Sequence, residues 1–348
     1  MKKISHSKIE KICIELFKKK KVKKNIYTPV VKCLIEASLR GVDTHGIRLL
    51  PHYLKVIDTG RININPKITI KTTNKTTAIL DADHSYGHYA CDIGVKKAIN
   101  MAKKNGSGFV VIKNSTHNSA GAFYSLQPAK KGMIGISFAH STQGMIPTNS
   151  KEKFFGTNAF SISFPCLNEE PVCLDMATTQ ISWNKVLNYL SQGKNLEGSY
   201  AVDKNGNITN EPKIAYGLLP TGMHKGFGLG LIVEMFCALL ANGPYGPDLT
   251  DMFEESALSK KRNLSQFVGA INVSDFINLN SFKKRASEMI NRVRNLKSIN
   301  NEQVMVAGDP EKLTKKRRIK NGIPVNKELI KEYNELILIY NLNKKLII

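Results

Sequence analysis

The chain has 348 residues, 42% hydrophobic and 7% aromatic, with 51 Lys and Arg against 28 Asp and Glu for a formal charge of +23. That is enough to bury a large core in about two domains; the charge does not single out nucleic acid, because lysine is spread along the whole chain and the two dense runs, residues 18–24 and 315–318, have no aromatic residues between them to stack bases. Cys13, Cys33, Cys91, Cys166, Cys173 and Cys237 form no C-x-x-C pair and read as reduced core residues of a cytoplasmic protein, the N-terminus lacks the apolar stretch of a signal peptide, and the most apolar helix, interrupted by Glu234, is shorter than the ~20 residues a membrane span needs.

Taken in chain order, Ile9, Ile12, Cys13, Leu16 and Phe17 repeat at helical spacing. A second helix is predicted from Thr28-Pro29, a cap followed by a proline in the first turn, through Val31, Leu34, Ile35 and Leu39 to a stop at Gly41. A third is predicted over 46–58, with Leu49, Leu50, Tyr53, Leu54 and Ile57 on one side and Gly60 as its stop. Strands and helices then alternate: strands at 77–81 and 109–113 around a helix over 89–104, a helix over 120–131, and strands at 133–139, 159–164 and 171–174. Helices follow from Gln180 and over 226–241, then a strand at 267–273 and helices over 281–296 and 326–341. The pattern is α/β with a mixed sheet, because several links are too short for a helical crossover. The expected division is a helical substrate-side unit (1–65) packing with C-terminal helices (275–348), and an α/β cofactor-binding domain (66–274).

Three segments stand out chemically. In the run from Arg40 to Arg48 a glycine stop directly precedes a helix start, with Thr44 as its candidate cap. His45 would then fall in the first turn, where the positive helix end lowers its pKa toward a neutral, proton-exchanging form. Arg48 stands one turn on. A histidine that exchanges protons beside an arginine that clamps a carboxylate is what a 2-oxo acid site needs; the same spacing also fits a capping histidine beside a solvated arginine. The second segment, Asn114-Ser115-Thr116-His117-Asn118-Ser119, follows a buried strand, where α/β proteins place their ligands, or is a polar loop with an incidental histidine. In the third, Lys225-Gly226-Phe227-Gly228-Leu229-Gly230 opens a helix, either to approach a phosphate or to pack tightly. A dinucleotide fingerprint would need glycine at 231, where Leu231 stands, so no Rossmann domain is supported. Asp175 ends a strand and could bind ribose hydroxyls or cap the next helix. Asp43, His45 and His52 do not converge as metal ligands on a helix, and no G-x-S-x-G elbow marks a hydrolase.

In order, Thr44-His45-Gly46 with Pro51 and Tyr53, Asn114-Ser115-Thr116-His117, Gly156-Thr157-Asn158, Asp175-Met176-Ala177-Thr178, Ala201-Val202-Asp203 with Gly206, and Lys225-Gly226-Phe227-Gly228-Leu229 resemble the malate/L-lactate/ureidoglycolate dehydrogenase family, which includes sulfolactate dehydrogenases and cyclic imino-acid reductases. The resemblance runs to about residue 325. It implies a non-Rossmann α/β nicotinamide-binding fold, a homodimer, NAD or NADP as cofactor, and hydride transfer to or from a small 2-oxo or 2-hydroxy acid. By the same resemblance His45, His117 and Thr44 are the catalytic set. Arg48, Tyr53 and Thr157 are substrate contacts, and Ser141, Asp175, Met176, Ala177 and Lys225 are cofactor contacts.

The chain departs from the family pattern around the substrate. The family's substrate arginine falls at Leu49, with Arg48 one residue early; Thr142 stands for an aspartate, Asn184 for the glycine before Lys185, Ala307-Gly308-Asp309 for Pro-Gly-Glu, and Asn188 lies near an acidic relay position. An unusual substrate is therefore expected. The competing readings are a cofactor-binding member without turnover and a basic, non-enzymatic nucleic-acid-binding protein.

Overall fold

The structure, a computed structural model, describes residues 1–343 and 346–348. Helix α1 (His6–Lys19) starts where the Ser5 side chain accepts the Lys8 amide, and it buries Ile9, Ile12, Cys13, Leu16 and Phe17. Helix α2 spans Lys24–Leu39, a full turn earlier than the Thr28-Pro29 signal predicts. Thr28 is not its cap: the hydroxyl turns back to donate to the Lys24 carbonyl at 2.6 Å, and Pro29 sits inside the helix.

The predicted third helix is also different. Residues Asp43–His45 and Ile47–Leu49 are two separate 3₁₀ turns, and the α-helix α3 covers only Leu50–Asp58. The break is at Gly46, where a Cβ would lie 2.0 Å from the Ser38 hydroxyl of α2; that hydroxyl accepts the Ile47 amide at 2.9 Å. Close approach to α2 thus forbids a continuous helix through His45. Helices α1, α2 and α3 share one core with Tyr333 and Ile337 of the C-terminal helix α10 (Lys327–Ile339). Strand β1 (Lys2–Ile4) pairs with β12 (Ile323–Val325) and ties the two ends of the sequence together.

Among the described residues the main sheet has seven strands, β2 (Thr69–Thr72), β3 (Thr77–Asp81), β4 (Ser107–Ser115), β5 (Met133–Ala139), β6 (Ala159–Phe164), β7 (Val172–Met176) and β11 (Leu264–Asn272), in the order β2-β3-β4-β11-β5-β6-β7. Only β3 and β4 run parallel, joined by α4 (Gly87–Asn105); the other pairs are antiparallel. The late strand β11 inserts between β4 and β5. Helices α4 and α5 (Ala122–Ala129) cover one face through small and aliphatic side chains. The other face carries Phe109, Phe138 and Phe267, packed against α7 (His224–Glu234) and the π-helical turn Met235–Leu239 that continues it, with Phe236 4.9 Å from Phe267. A small sheet of β8 (Ala201–Val202), β9 (Ile208–Thr209) and β10 (Gly217–Leu218) stands beside α6 (Trp183–Ser191); α8 (Leu279–Arg294) and α9 (Asp309–Asn321) complete the chain. The sequence reading contained neither the small sheet nor α9. No described helix is long and apolar enough to cross a membrane.

Candidate functional site

The 3₁₀ turn ending at His45 and the loop leaving β4 bring the two histidines face to face, with ring centroids 5.6 Å apart and planes inclined by 29°. Each imidazole is held through Nδ1. The Thr44 hydroxyl is 2.9 Å from His45 Nδ1, and the Tyr53 hydroxyl is 2.6 Å from His117 Nδ1. Burial pushes the Tyr53 phenol well above its ordinary range, so the hydroxyl stays protonated in its contact with His117 Nδ1. When that hydroxyl donates, the His117 proton lies on Nε2, on the side away from Tyr53.

The surroundings are held as tightly. Tyr86 donates to the Tyr53 carbonyl at 2.8 Å, the Ser119 hydroxyl donates to the His45 carbonyl, and Thr116 links the Gly87 amide to the Ser85 carbonyl. Asn184, the departure before Lys185, donates to the Thr44 carbonyl at 3.1 Å and so anchors the His45 turn to α6.

Both imidazoles are neutral at pH 7. Burial, with help from Arg48, lowers His45 to about 4. Burial and the neighbouring His45, His88, Arg262 and His52 take His117 well below its ordinary value. His45 is thus neutral as a helix start would make it, but because of burial and Arg48, since it ends a 3₁₀ turn and is not in the first turn of an α-helix. Next to Tyr53 lies His88, fully buried, its ring 5.1 Å away edge-to-face, and neither ring nitrogen has a partner among the described residues.

His45 opens onto a cavity of about 420 Å³, within the size range of cofactor sites. Thr44, Ser119, Thr157, Asp175, Met176 and Ala177 line it, as does Gly308, whose φ of +91° places its backbone against Cys173. The Asp175 carboxylate accepts the Ala122 amide at 2.9 Å, the start of α5; it caps that helix across the sheet, while Ser182 caps the helix that follows in sequence. Burial raises Asp175 to about 6.

Ser141 accepts the Thr157 amide at 3.1 Å, which joins two predicted contact residues. Lys225 is exposed in the first turn of α7 and is not among the lining residues. Two of the glycines after it serve packing, since a Cβ would lie 2.2 Å from the Thr221 carbonyl at Gly226 and 2.5 Å from the Met145 methyl at Gly230, while Gly228 faces open space. Arg48 is half-buried in the field of Glu332 and Asp43, and it lines no cavity with either histidine. Tyr53 stands behind His117, away from the larger cavity.

A network around the Ser141 loop escaped the sequence reading. The Glu234 carboxylate accepts from Asn158 Nδ2 at 2.6 Å, the Gly246 amide at 3.0 Å and His140 Nδ1 at 3.1 Å. His140 Nε2 in turn accepts the Ser265 amide, and Asn158 Oδ1 accepts the Ser141 amide. The signal was available, because Glu234 is a lone carboxylate in an apolar helix and a buried carboxylate must find donors.

A family model described as malate/L-lactate dehydrogenase matches residues 4–334. The chain is 34% identical over 314 residues to the malate dehydrogenase of Pyrococcus abyssi, covering 87% of this chain and 85% of that protein. It is 30% identical over 299 residues to the NAD(+)-dependent ureidoglycolate dehydrogenase of Escherichia coli, covering 85% and 84%. Its fold matches the crystal structure of malate dehydrogenase from Entamoeba histolytica with a TM-score of 0.93 at 32% identity, over 98% of this chain and 99% of that one.

Proposed function

The chain belongs to the malate/L-lactate dehydrogenase family and is an oxidoreductase of small 2-hydroxy acids; from that premise we propose that His117 and His45 exchange the substrate proton at the mouth of the 420 Å³ cavity, which takes the nicotinamide cofactor. The observation that carries this reading is the pair of neutral imidazoles, each held at Nδ1, meeting beside a cavity walled by Thr157, Asp175, Met176 and Ala177.

The residues fit a dinucleotide. Asp175, Met176 and Ala177 present polar and backbone groups to the cavity, and Gly308, against Cys173 of β7, adds a stretch of lining bare of side chain. Ser141 stands behind Thr157 and sets its backbone, while Lys225, four residues after the lining residue Thr221, is the cation proposed to meet a phosphate. The bound nicotinamide supplies the hydride acceptor for hydroxy-acid oxidation and the hydride donor for the reverse reaction. Toward oxidation, a neutral imidazole takes the hydroxyl proton; toward reduction, the imidazolium returns it to the carbonyl oxygen. Thr44 orients His45, and Tyr53 orients His117.

NAD(H) is the expected cofactor, with NADP(H) the alternative that the same assay decides. Residues 1–65 supply the substrate side and residues 66–274 the cofactor side. The exposed apolar face of Leu229, Ile232, Met235, Leu239 and Leu240 fits a second copy of the chain, giving a homodimer. Six buried, unpaired cysteines fit a reducing, cytoplasmic setting. The test is a panel of 2-oxo acids and cyclic imines with each reduced cofactor, followed by nicotinamide absorbance. Turnover of a 2-oxo acid is expected, and its absence across the whole panel would refute the reading.

A further inference from the structure

Four guanidinium groups surround the two histidines, and two are fully committed. Arg40 forks onto Glu36 at 2.8 Å and Glu170 at 2.5 Å. Arg61 donates to the carbonyls of Asp251, Met252, Ala257 and Lys260, so its charge is solvated by backbone. Arg48 is half-buried in the field of Glu332 and Asp43, acts on His45, and lines neither histidine cavity. Arg262 shares with Arg48 the lack of a hydrogen bond or ion pair among the described residues, and differs from it in being buried. It is 3% exposed, its Nε is buried without an acceptor, and it makes no hydrogen bond or ion pair among the described residues. The nearby Asp251 carboxylate is already engaged by the Phe253 and Glu254 amides.

A buried guanidinium without a counter-charge is costly, and proteins keep one where an anion arrives. Arg262 lines a small cavity of about 10 Å³ together with His52, Tyr53, Arg61, Thr116 and His117. That volume admits one water-sized group, the size of a single carboxylate oxygen entering beside His117. A planar fork of donors suits a carboxylate, and among the described residues no other buried, unspent guanidinium lines a cavity with either histidine.

We propose that Arg262, rather than Arg48, anchors the carboxylate of the 2-oxo or 2-hydroxy acid. This rests on the reaction proposed above. The bound carboxylate offsets the one permanent cation among the groups facing His117, which are His45, His52, His88 and Arg262. Substrate arrival thereby favours the imidazolium that the reduction needs. The free protein holds a destabilising charge that the ligand neutralises, and that separates this role from a structural one.

The experiment compares wild type with Arg262→Met and Arg262→Lys. For the best 2-oxo acid, Arg262→Met should raise KM roughly 10²-fold, the effect of removing one partner of a buried charge pair. The fall in kcat should be smaller, and Arg262→Lys should recover part of the loss. Reduction of the corresponding 2-oxo amide and cofactor affinity should not change. Without ligand, Arg262→Met should melt at or above the wild-type temperature. Oxamate, which binds without turnover, should raise the melting temperature of the wild type with cofactor and not of Arg262→Met. An unchanged KM for the acid, an equal KM rise for the amide, or an undiminished oxamate shift in Arg262→Met overturns the assignment. A wild type that shows the Arg262-dependent oxamate shift but reduces no 2-oxo acid refutes the reaction and leaves Arg262 as the anion anchor.

Discussion

The charged belt between α2 and α9 and the histidine centre lie within a few residues of each other, yet they treat polar groups in opposite ways. In the belt the carboxylates of Glu36, Glu169, Glu170, Asp43 and Asp309 all have basic partners. Glu36 and Glu170 each receive both Arg40 and Lys315, Arg318 forks onto Asp43 at 2.5 and 2.9 Å, and Arg294 and Lys312 close on Glu169 and Asp309. Burial works against Glu36 ionising, but Lys315 and Arg40 hold it below the usual carboxylate range. Two residues beyond Asp43 stands His45, and around its neighbour His117 the His88 ring, Arg262 Nε and Gln266 Oε1 lack partners among the described residues. A satisfied network rigidifies, and an unsatisfied buried one is retained where a ligand completes it. The basic run at 315–318, which a charge count would offer to nucleic acid, is thus partly consumed inside the fold.

The sharpest way to break this contrast is to remove a histidine. His117→Ala and His45→Ala should each lower kcat by ~10²–10⁴-fold with the fold retained, as loss of a positioned proton-transfer group does. Full activity in either variant would remove that histidine from the reaction.

Acid comes next, because it charges the histidine centre and leaves the belt's carboxylates ionised. His45 and His52 are depressed to about 4 and His88 to about 3 by burial, and His117 is lowered as well. The unfolded chain binds their protons near pH 6.5. Between pH 6.5 and about 4 it therefore holds more protons than the folded chain, and stability falls as pH falls. Asp175, raised to about 6, opposes this below pH 6, but one carboxyl does not balance four imidazoles. The melting temperature should drop steeply across that window; a flat profile would show that the histidines are not buried neutral.

A smaller effect is expected in the belt. Arg294→Met leaves Asp309 and Glu169 short of donors and should cost about 2 kcal/mol of stability, read by calorimetry, with KM for the acid unchanged. A changed KM and an unchanged melting temperature would invert the comparison. The smallest effect is Tyr53→Phe, which removes one hydrogen bond to His117, worth about 1 kcal/mol or roughly a fivefold fall in kcat. An unaltered rate would mean that His117 is oriented by packing alone.

Much of this was legible in the residues. Strands β5 and β6 have the predicted ends, since alternation and turn residues bound them locally. The ordered motifs around His45, His117 and Asp175 identified the family and the non-Rossmann fold. The segment through Gly46 was misread because an apolar stripe looks the same for one helix as for two turns and a helix; the break comes from Ser38, in another element. Glu234 looked like an interruption of an apolar helix until Asn158, His140 and Gly246 arrived to fill it.

The sequence by itself determined the apolar periodicities, the order of the motifs and the choice of His45 and His117 as candidate proton-exchange groups. These depend on neighbours a few residues away, or on residue chemistry alone. Tertiary structure decided which groups are partnered: Asp175 caps α5 across the sheet, Arg61 is used up by carbonyls from residues 251–260, and Arg262 is left without an acceptor beside His117. Whether a charge is spent or free depends on what packs against it from distant parts of the chain, and local sequence does not contain that information.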